Sequence, residues 1–147
     1  MGTLAADVQG AALLGEAIAA VRDLYGRIGA EIEERRPVCV ISGRCCRFEE
    51  WGHRLYVTTL ELAAFWATGP TASPPGWSGA GCPFQVGKLC GVHDRRPMGC
   101  RLFFCDSTAA QWQRDSYERF HGELKQLHAK FGVPYHYVEW RTALAEL

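Results

Sequence analysis

The sequence predicts a mainly α-helical fold, a small single domain in which helices surround an irregular, loop-rich cysteine core that binds metal. Two apolar stripes at helical spacing, one near the start and one in the last third, predict the helices. Seven cysteines in the stretch between them predict the core. We expect one domain over 1–147, with a long helix over 3–35, a metal-binding cysteine region over 39–105 and a helical, aromatic segment over 106–147.

The composition of the chain indicates neither a membrane span nor a nucleic-acid partner. Its 147 residues are 48% hydrophobic and 22% charged, and no apolar run approaches the ~18 residues that a membrane span needs. Sixteen basic residues balance sixteen acidic ones, so the net charge indicates neither a nucleic acid nor an anionic membrane as partner. The N-terminus lacks the basic start and long apolar core of a secretory signal. We therefore expect a cytoplasmic protein.

The first predicted element is one amphipathic helix over 3–35. Its apolar residues recur at alternating steps of three and four, at Leu4, Val8, Ala11, Leu14, Ile18, Val21, Tyr25, Ile28 and Ile32. This spacing places them on one helix face, and Pro37 stops the helix. We favour packing of this face into the domain's own core. The alternative is a protein partner that binds along the helix, for which its length leaves room.

A short helix is predicted to follow Thr58. Thr58 with Glu61 three residues later matches a capping box, in which each side chain bonds the backbone of the other residue. Residues 56–57 indicate the end of a short strand before the cap, and Gly69 ends the helix. We assign Glu61 a role in the capping box rather than a role in chemistry at the cysteines.

The last third is predicted to be helical with an aromatic end. Residues 69–81 form a loop rich in proline and glycine. A helix then begins near Asp106 or Ser107 and ends at Gly132. One face of it carries Trp112, Phe120, Leu124, Leu127 and Phe131. Residues 135–140 fit either an aromatic strand or the start of a last helix.

Seven cysteines in three clusters are the candidate metal ligands. They are Cys39 with Cys45 and Cys46, then Cys82 with Cys90, then Cys100 with Cys105. Thiolates are soft ligands that select zinc, copper(I) and iron–sulfur clusters, so this grouping predicts a metal site. Two adjacent cysteines cannot easily both reach one metal, so the choice between Cys45 and Cys46 stays open.

A disulfide framework is the alternative explanation of the cysteines. It is disfavoured because their number is odd and because the N-terminus carries no secretory signal. A disulfide between the adjacent Cys45 and Cys46 would also close a strained ring. We therefore favour metal over structural disulfides.

Arginines lie beside the cysteines in the sequence. They are Arg44, Arg47, Arg95, Arg96 and Arg101. Cations at these positions would lower the pKa of nearby thiols and offset the negative charge of a thiolate-rich site. The alternative is that they are solvated surface residues, and both interpretations stay open at this point.

The cysteine region resembles a known family of metal-chelating proteins. Its motifs follow in order over 39–105: Cys39-Val-Ile-Ser42-Gly-Arg-Cys45-Cys46, then Cys82-Pro-Phe, then Cys90 with Arg96-Pro97 and Cys100-Arg101-Leu-Phe. In this order and spacing the chain is similar to the CxxCxxCC, or YkgJ-like, zinc- or iron-chelating family. The resemblance implies metal chelation through the cysteines. Some relatives are described as iron–sulfur proteins, including a domain attached to flagellin lysine methylation.

The chain departs from the family pattern at three positions. Ser42 replaces the second cysteine, and a serine hydroxyl is a poor ligand for soft metals. His93 stands where a tyrosine is usual, and we favour a hydrogen-bonding or surface role for it. Cys105 has no counterpart in the pattern. We infer that Cys105 compensates for Ser42, the alternative being a small buried apolar residue.

Two function classes remain. In the first, which we favour, an iron–sulfur cluster serves electron transfer, or makes the domain an accessory or catalytic part of a modification or biosynthetic system. In the second, zinc stabilises a structural module for protein–protein interaction. Most of the cysteine spacings are wider than the Cys-x(2–4)-Cys pairs typical of structural zinc, which favours the first class. No other catalytic motif is present, so the sequence leaves enzymatic activity open.

Overall fold

Helices make up most of the chain that the structure describes. The computed structural model describes residues 2–36, 55–69, 81–86, 89–90, 92–102 and 107–147. Its α-helices in these ranges are α1 Leu4–Ala12, α2 Gly15–Arg35, α3 Thr59–Thr68, α4 Met98–Arg101, α5 Ala110–Phe131 and α6 Trp140–Glu146. The strands there are β1 Tyr56–Thr58, β2 Gln85–Val86, β3 Leu89–Cys90 and β4 Tyr137–Glu139. The mainly α-helical class predicted from the sequence is confirmed.

The N-terminal segment forms two helices, so the prediction of one helix over 3–35 was wrong. α1 and α2 are bent by 90° relative to each other. At the break, the amides of Leu13 and Leu14 bond to carbonyls three residues back, which ends the α-helical pattern of bonds four residues back. The bend allows α1 to pack against α3. The apolar spacing continues through Leu14 and therefore gave no sign of the break.

The apolar stripe of both helices lies in the core of the chain itself. Val8 in α1 and Val21, Leu24 and Ile28 in α2 are fully buried. α1 and α2 both pack against α3, and α2 also packs against α5. No single helix in the described ranges is both long and apolar enough to cross a membrane. α1 and α2 pass that test only when they are counted together, across their 90° bend.

β1 and α3 form as the sequence predicts. The capping box is present, because the Thr58 hydroxyl accepts a hydrogen bond from the Glu61 amide while the Glu61 carboxylate accepts one from the Thr58 amide. Every residue from Thr59 to Phe65 is buried. α3 is therefore the central helix of the described fold.

The C-terminal part contains both elements between which the sequence left a choice. Strand β4 pairs antiparallel with β1, with Val57 opposite Val138, and α6 follows directly. α5 begins after a 3-10 turn over Ser107–Ala109, while Asp106 lies outside the described residues. Gly132 ends α5 with φ of 67°, a conformation that glycine adopts without strain.

A buried histidine joins α5 to α3. His128 Nε2 accepts the Leu60 amide at 3.1 Å, and Nδ1 lies 2.8 Å from the Leu124 carbonyl oxygen. Because an amide only donates and a carbonyl only accepts, the imidazole is neutral with its proton on Nδ1. Burial lowers the pKa of His128, which is consistent with this neutral form.

We expect His128 to make the fold sensitive to acid. Its pKa is lower in the folded chain than the ordinary value of about 6.5, so its contribution to stability is complete above that pH and is lost as pH falls towards the folded pKa. Denaturant titrations at decreasing pH should show the free energy of unfolding falling below about pH 6.5. His128→Gln should lose part of this slope. Equal slopes for both proteins would contradict the assignment.

A second prediction concerns the apolar stripe of α2. Val21→Asn places an amide in the core, so we expect a loss on the order of 2–5 kcal/mol in the free energy of unfolding. Ala19→Asn, at an exposed position of the same helix, is the control and should cost less than about 1 kcal/mol. Thermal melts and size-exclusion chromatography measure both. An unchanged melting temperature with a lost complex for Val21→Asn would make the stripe a partner surface.

Candidate metal centre

Two of the predicted ligands have described side chains. Cys82 is buried and Cys100 is partly buried, while Cys90 is described only as backbone in β3. Lying outside the described residues are Cys39, Ser42, Cys45, Cys46 and Cys105. Within the described part of the chain, three or more metal-binding side chains do not come together. The complete ligand set therefore remains a prediction, as does compensation of Ser42 by Cys105.

Cys82 lies in a buried aromatic corner between α3 and α6. The indole N–H of Trp140 donates to Cys82 Sγ at 3.4 Å. The Trp140 ring packs edge-on against Phe65, with centroids 5.1 Å apart, and Phe84 packs against both. A hydrogen bond to sulfur is the kind of outer contact that orients and supports a metal-bound thiolate. The surroundings of Cys82 therefore suit a ligand.

Cys100 lies in the short helix α4, which a buried carboxylate ties to α3. Glu61 Oε1 accepts the amide of Met98, the first residue of α4, at 2.8 Å. The other oxygen, Oε2, accepts the amide and the hydroxyl of Thr58 at 2.8 and 3.2 Å. Glu61 thus acts in the predicted cap and also fixes the helix that carries Cys100. The second role was not predicted.

Arg101 stabilises the turn that precedes Cys100 in the chain. Its Nε donates to the Arg96 carbonyl at 2.7 Å, and an Nη donates to the Asp94 carbonyl at 2.9 Å. Its guanidinium lies 4.1 Å from the centre of the Tyr25 ring, a cation–π contact with α2. Arg101 is therefore not a solvated surface residue, because it holds backbone in place and its charge interacts with Cys100.

Arg95 anchors the same turn to the end of α3. It donates to the Phe65 carbonyl at 2.6 Å and to the Thr68 hydroxyl at 3.2 Å, and its guanidinium stacks on the Phe65 ring at 3.9 Å. Gly69 permits this approach, because a Cβ there would come within 2.7 Å of the Arg95 guanidinium carbon. The turn before Cys100 is thereby fastened to both α2 and α3.

Several ionisable groups lie close to Cys100 and are shielded from solvent. Burial raises the pKa of Tyr25 well above its ordinary value, the negative charges of Glu61 and Cys100 add to this, and Arg101 opposes it. Burial also raises the pKa of Glu61, against the effect of its hydrogen bonds from Met98 and Thr58. Cys100 therefore shares its site with a carboxylate, a guanidinium and a phenol.

Comparison with known protein families, with curated proteins and with solved structures finds no match for this chain. The resemblance to the CxxCxxCC family therefore stays a prediction from the cysteine motifs over 39–105. The geometry adds the positions of Cys82 and Cys100 among the residues that the structure describes.

We expect Glu61→Ala to loosen α4. Alanine has no side-chain acceptor, so the backbone N–H groups of Thr58 and Met98 lose their partner, each at a cost of about 1–3 kcal/mol. Hydrogen exchange at the Met98 amide should become faster. Thr58→Ala is the control, because it removes the cap hydroxyl, worth about 0.5–2 kcal/mol, and leaves the Met98 bond intact. Equal acceleration at Met98 in both variants would contradict the second role of Glu61.

Proposed function

We propose that this protein holds an iron–sulfur cluster through its clustered cysteines. It would use the cluster in electron transfer, or as an accessory or catalytic part of a modification or biosynthetic system. The observation that carries the proposal is the order and spacing of the cysteine motifs over 39–105, which resemble those of the CxxCxxCC family. The ligands are drawn from Cys39, Cys45, Cys46, Cys82, Cys90, Cys100 and Cys105. When bound, the cluster supplies one-electron chemistry.

The surroundings of the two described cysteines support this proposal. Cys82 receives an N–H from Trp140 within an aromatic corner, and hydrogen bonds to sulfur together with limited solvent access are the usual means of tuning an iron–sulfur cluster. Cys100 lies beside the fixed positive charge of Arg101, which offsets the negative charge of thiolates.

A zinc-stabilised module for protein–protein interaction is the second candidate. One observation favours it: Leu13 and Leu14, at the bend between α1 and α2, are 86% and 41% exposed. Exposed leucines at a helix corner are a suitable contact for another protein. Apart from Leu14, most of the apolar stripe is buried, so a partner of the N-terminal helices would bind at this bend.

The metal decides between the two candidates. After purification without oxygen, we expect the protein to be brown and to contain iron and inorganic sulfide, because soft thiolates dominate the ligand set. Metal and sulfide analysis with a visible absorption spectrum tests this. A colourless protein with stoichiometric zinc and no iron would overturn the iron–sulfur proposal and move the function to the second class.

Three single variants serve as controls for this measurement. Cys100→Ala and Cys105→Ala should lower the metal content to a similar extent if Cys105 compensates for Ser42, whereas Ser42→Ala should leave it unchanged. Melting temperatures recorded on the same samples separate loss of a ligand from loss of the fold. Full metal content in Cys105→Ala would return that cysteine to an apolar packing role.

A further inference from the structure

Four of the chain's five tyrosines meet on one face of the β1–β4 sheet. Tyr137 lies at the centre of this cluster, nearly parallel to Tyr56 and Tyr135 at centroid distances of 5.3 and 6.3 Å. His121 of α5 also stacks on Tyr137, at 4.9 Å. The fourth tyrosine, Tyr117, comes from the same helix. Tyr117 is tilted by 52° against His121 at 5.6 Å and so contacts the other rings without stacking on them. We call these five rings the tyrosine cluster.

Two hydrogen bonds join the phenols of the tyrosine cluster. The Tyr135 hydroxyl lies 2.8 Å from His121 Nε2, and the Tyr117 and Tyr137 hydroxyls lie 2.7 Å apart. With the ring proton of His121 on Nδ1, Nε2 accepts the Tyr135 O–H. Burial lowers the pKa of His121 and raises that of Tyr135, so both groups are neutral near pH 7.

This pairing has a chemical consequence. A neutral phenol gives up an electron readily only if its proton leaves in the same step, which requires a base within hydrogen-bond distance. His121 is such a base for Tyr135. A phenol bonded only to another phenol, such as Tyr117 with Tyr137, has a far weaker proton acceptor.

The tyrosine cluster reaches solvent at the β1–β4 sheet. Tyr56 and Tyr137 are 40% and 42% exposed. An oxidant in solution therefore has access to the rings that pack beside Tyr135.

We propose that the tyrosine cluster is a proton-coupled oxidation site, in which Tyr135 gives up one electron and His121 takes its proton. A radical oxidant derived from peroxide takes one electron from Tyr135, the phenolic O–H bond breaks, and the proton passes to His121 Nε2. The products are a neutral tyrosyl radical, an imidazolium and the reduced oxidant. A thiolate in solution then returns one electron to the Tyr135 radical and becomes a thiyl radical, and the His121 imidazolium returns the proton to the Tyr135 oxygen.

This proposal is independent of the metal, because the oxidant comes from solution and the reacting groups belong to α5 and the β4 region.

The test applies a photogenerated ruthenium(III) polypyridyl oxidant to the full-length protein. Electron paramagnetic resonance measures the tyrosyl radical. We expect Tyr135→Phe to lower the radical yield severalfold, and His121→Phe to have the same effect. Tyr56→Phe is the matched control, because it keeps the stack and the His121–Tyr135 pair. Its radical yield should stay close to that of the unmodified protein.

Radical formation in the unmodified protein should also be slower in D₂O, because the proton moves with the electron. This measurement needs no variant and so remains decisive if a substitution unfolds the chain. An unchanged radical yield in Tyr135→Phe, an equal loss in Tyr56→Phe, or identical rates in H₂O and D₂O would overturn the proposal. The tyrosine cluster would then be a packing feature only.

Discussion

The buried carboxylate of Glu61 is the interaction on which the described fold most depends. A carboxylate removed from water is costly unless hydrogen bonds and an opposite charge replace its hydration. Glu61 meets this requirement with donors from Thr58 and Met98 and with the positive charge of Arg101 nearby. Because these donors belong to different segments, the solvation of one carboxylate requires the start of α3 and the start of α4 to come together.

α3 organises the surroundings of both described cysteines. Its first turn holds the helix of Cys100 through Glu61, and its second half carries Phe65, which packs in the aromatic corner of Cys82. The Phe65 carbonyl and ring also receive Arg95 from the turn before Cys100. The contacts that position these cysteine segments are thus made by ordinary packing, hydrogen bonds and cation–π stacking around one buried helix. A bound metal would add to an arrangement that these contacts already support.

The bend between α1 and α2 has a similar origin in packing. A straight helix would carry its N-terminal half away from the domain and leave Leu4 and Val8 in solvent. The break at Leu13 and Leu14 returns α1 to α3 and buries both side chains, at the cost of exposing the two leucines of the bend. Burial of apolar area exceeds the loss of a few helical hydrogen bonds, which water can replace at an exposed corner.

Local features were predictable from the sequence because they depend on residues close together in the chain. The capping box of Thr58 and Glu61, the apolar faces of the helices and the grouping of the cysteines are of this kind. Only the tertiary structure decided the second partner of Glu61, 37 positions away at Met98, and the approach of Trp140 to Cys82 across 58 positions. Such contacts follow from which buried surfaces fit together, and no local spacing encodes that. The sequence by itself therefore determined which groups are available for chemistry, and the packing around α3 decided which of the described ones share a site.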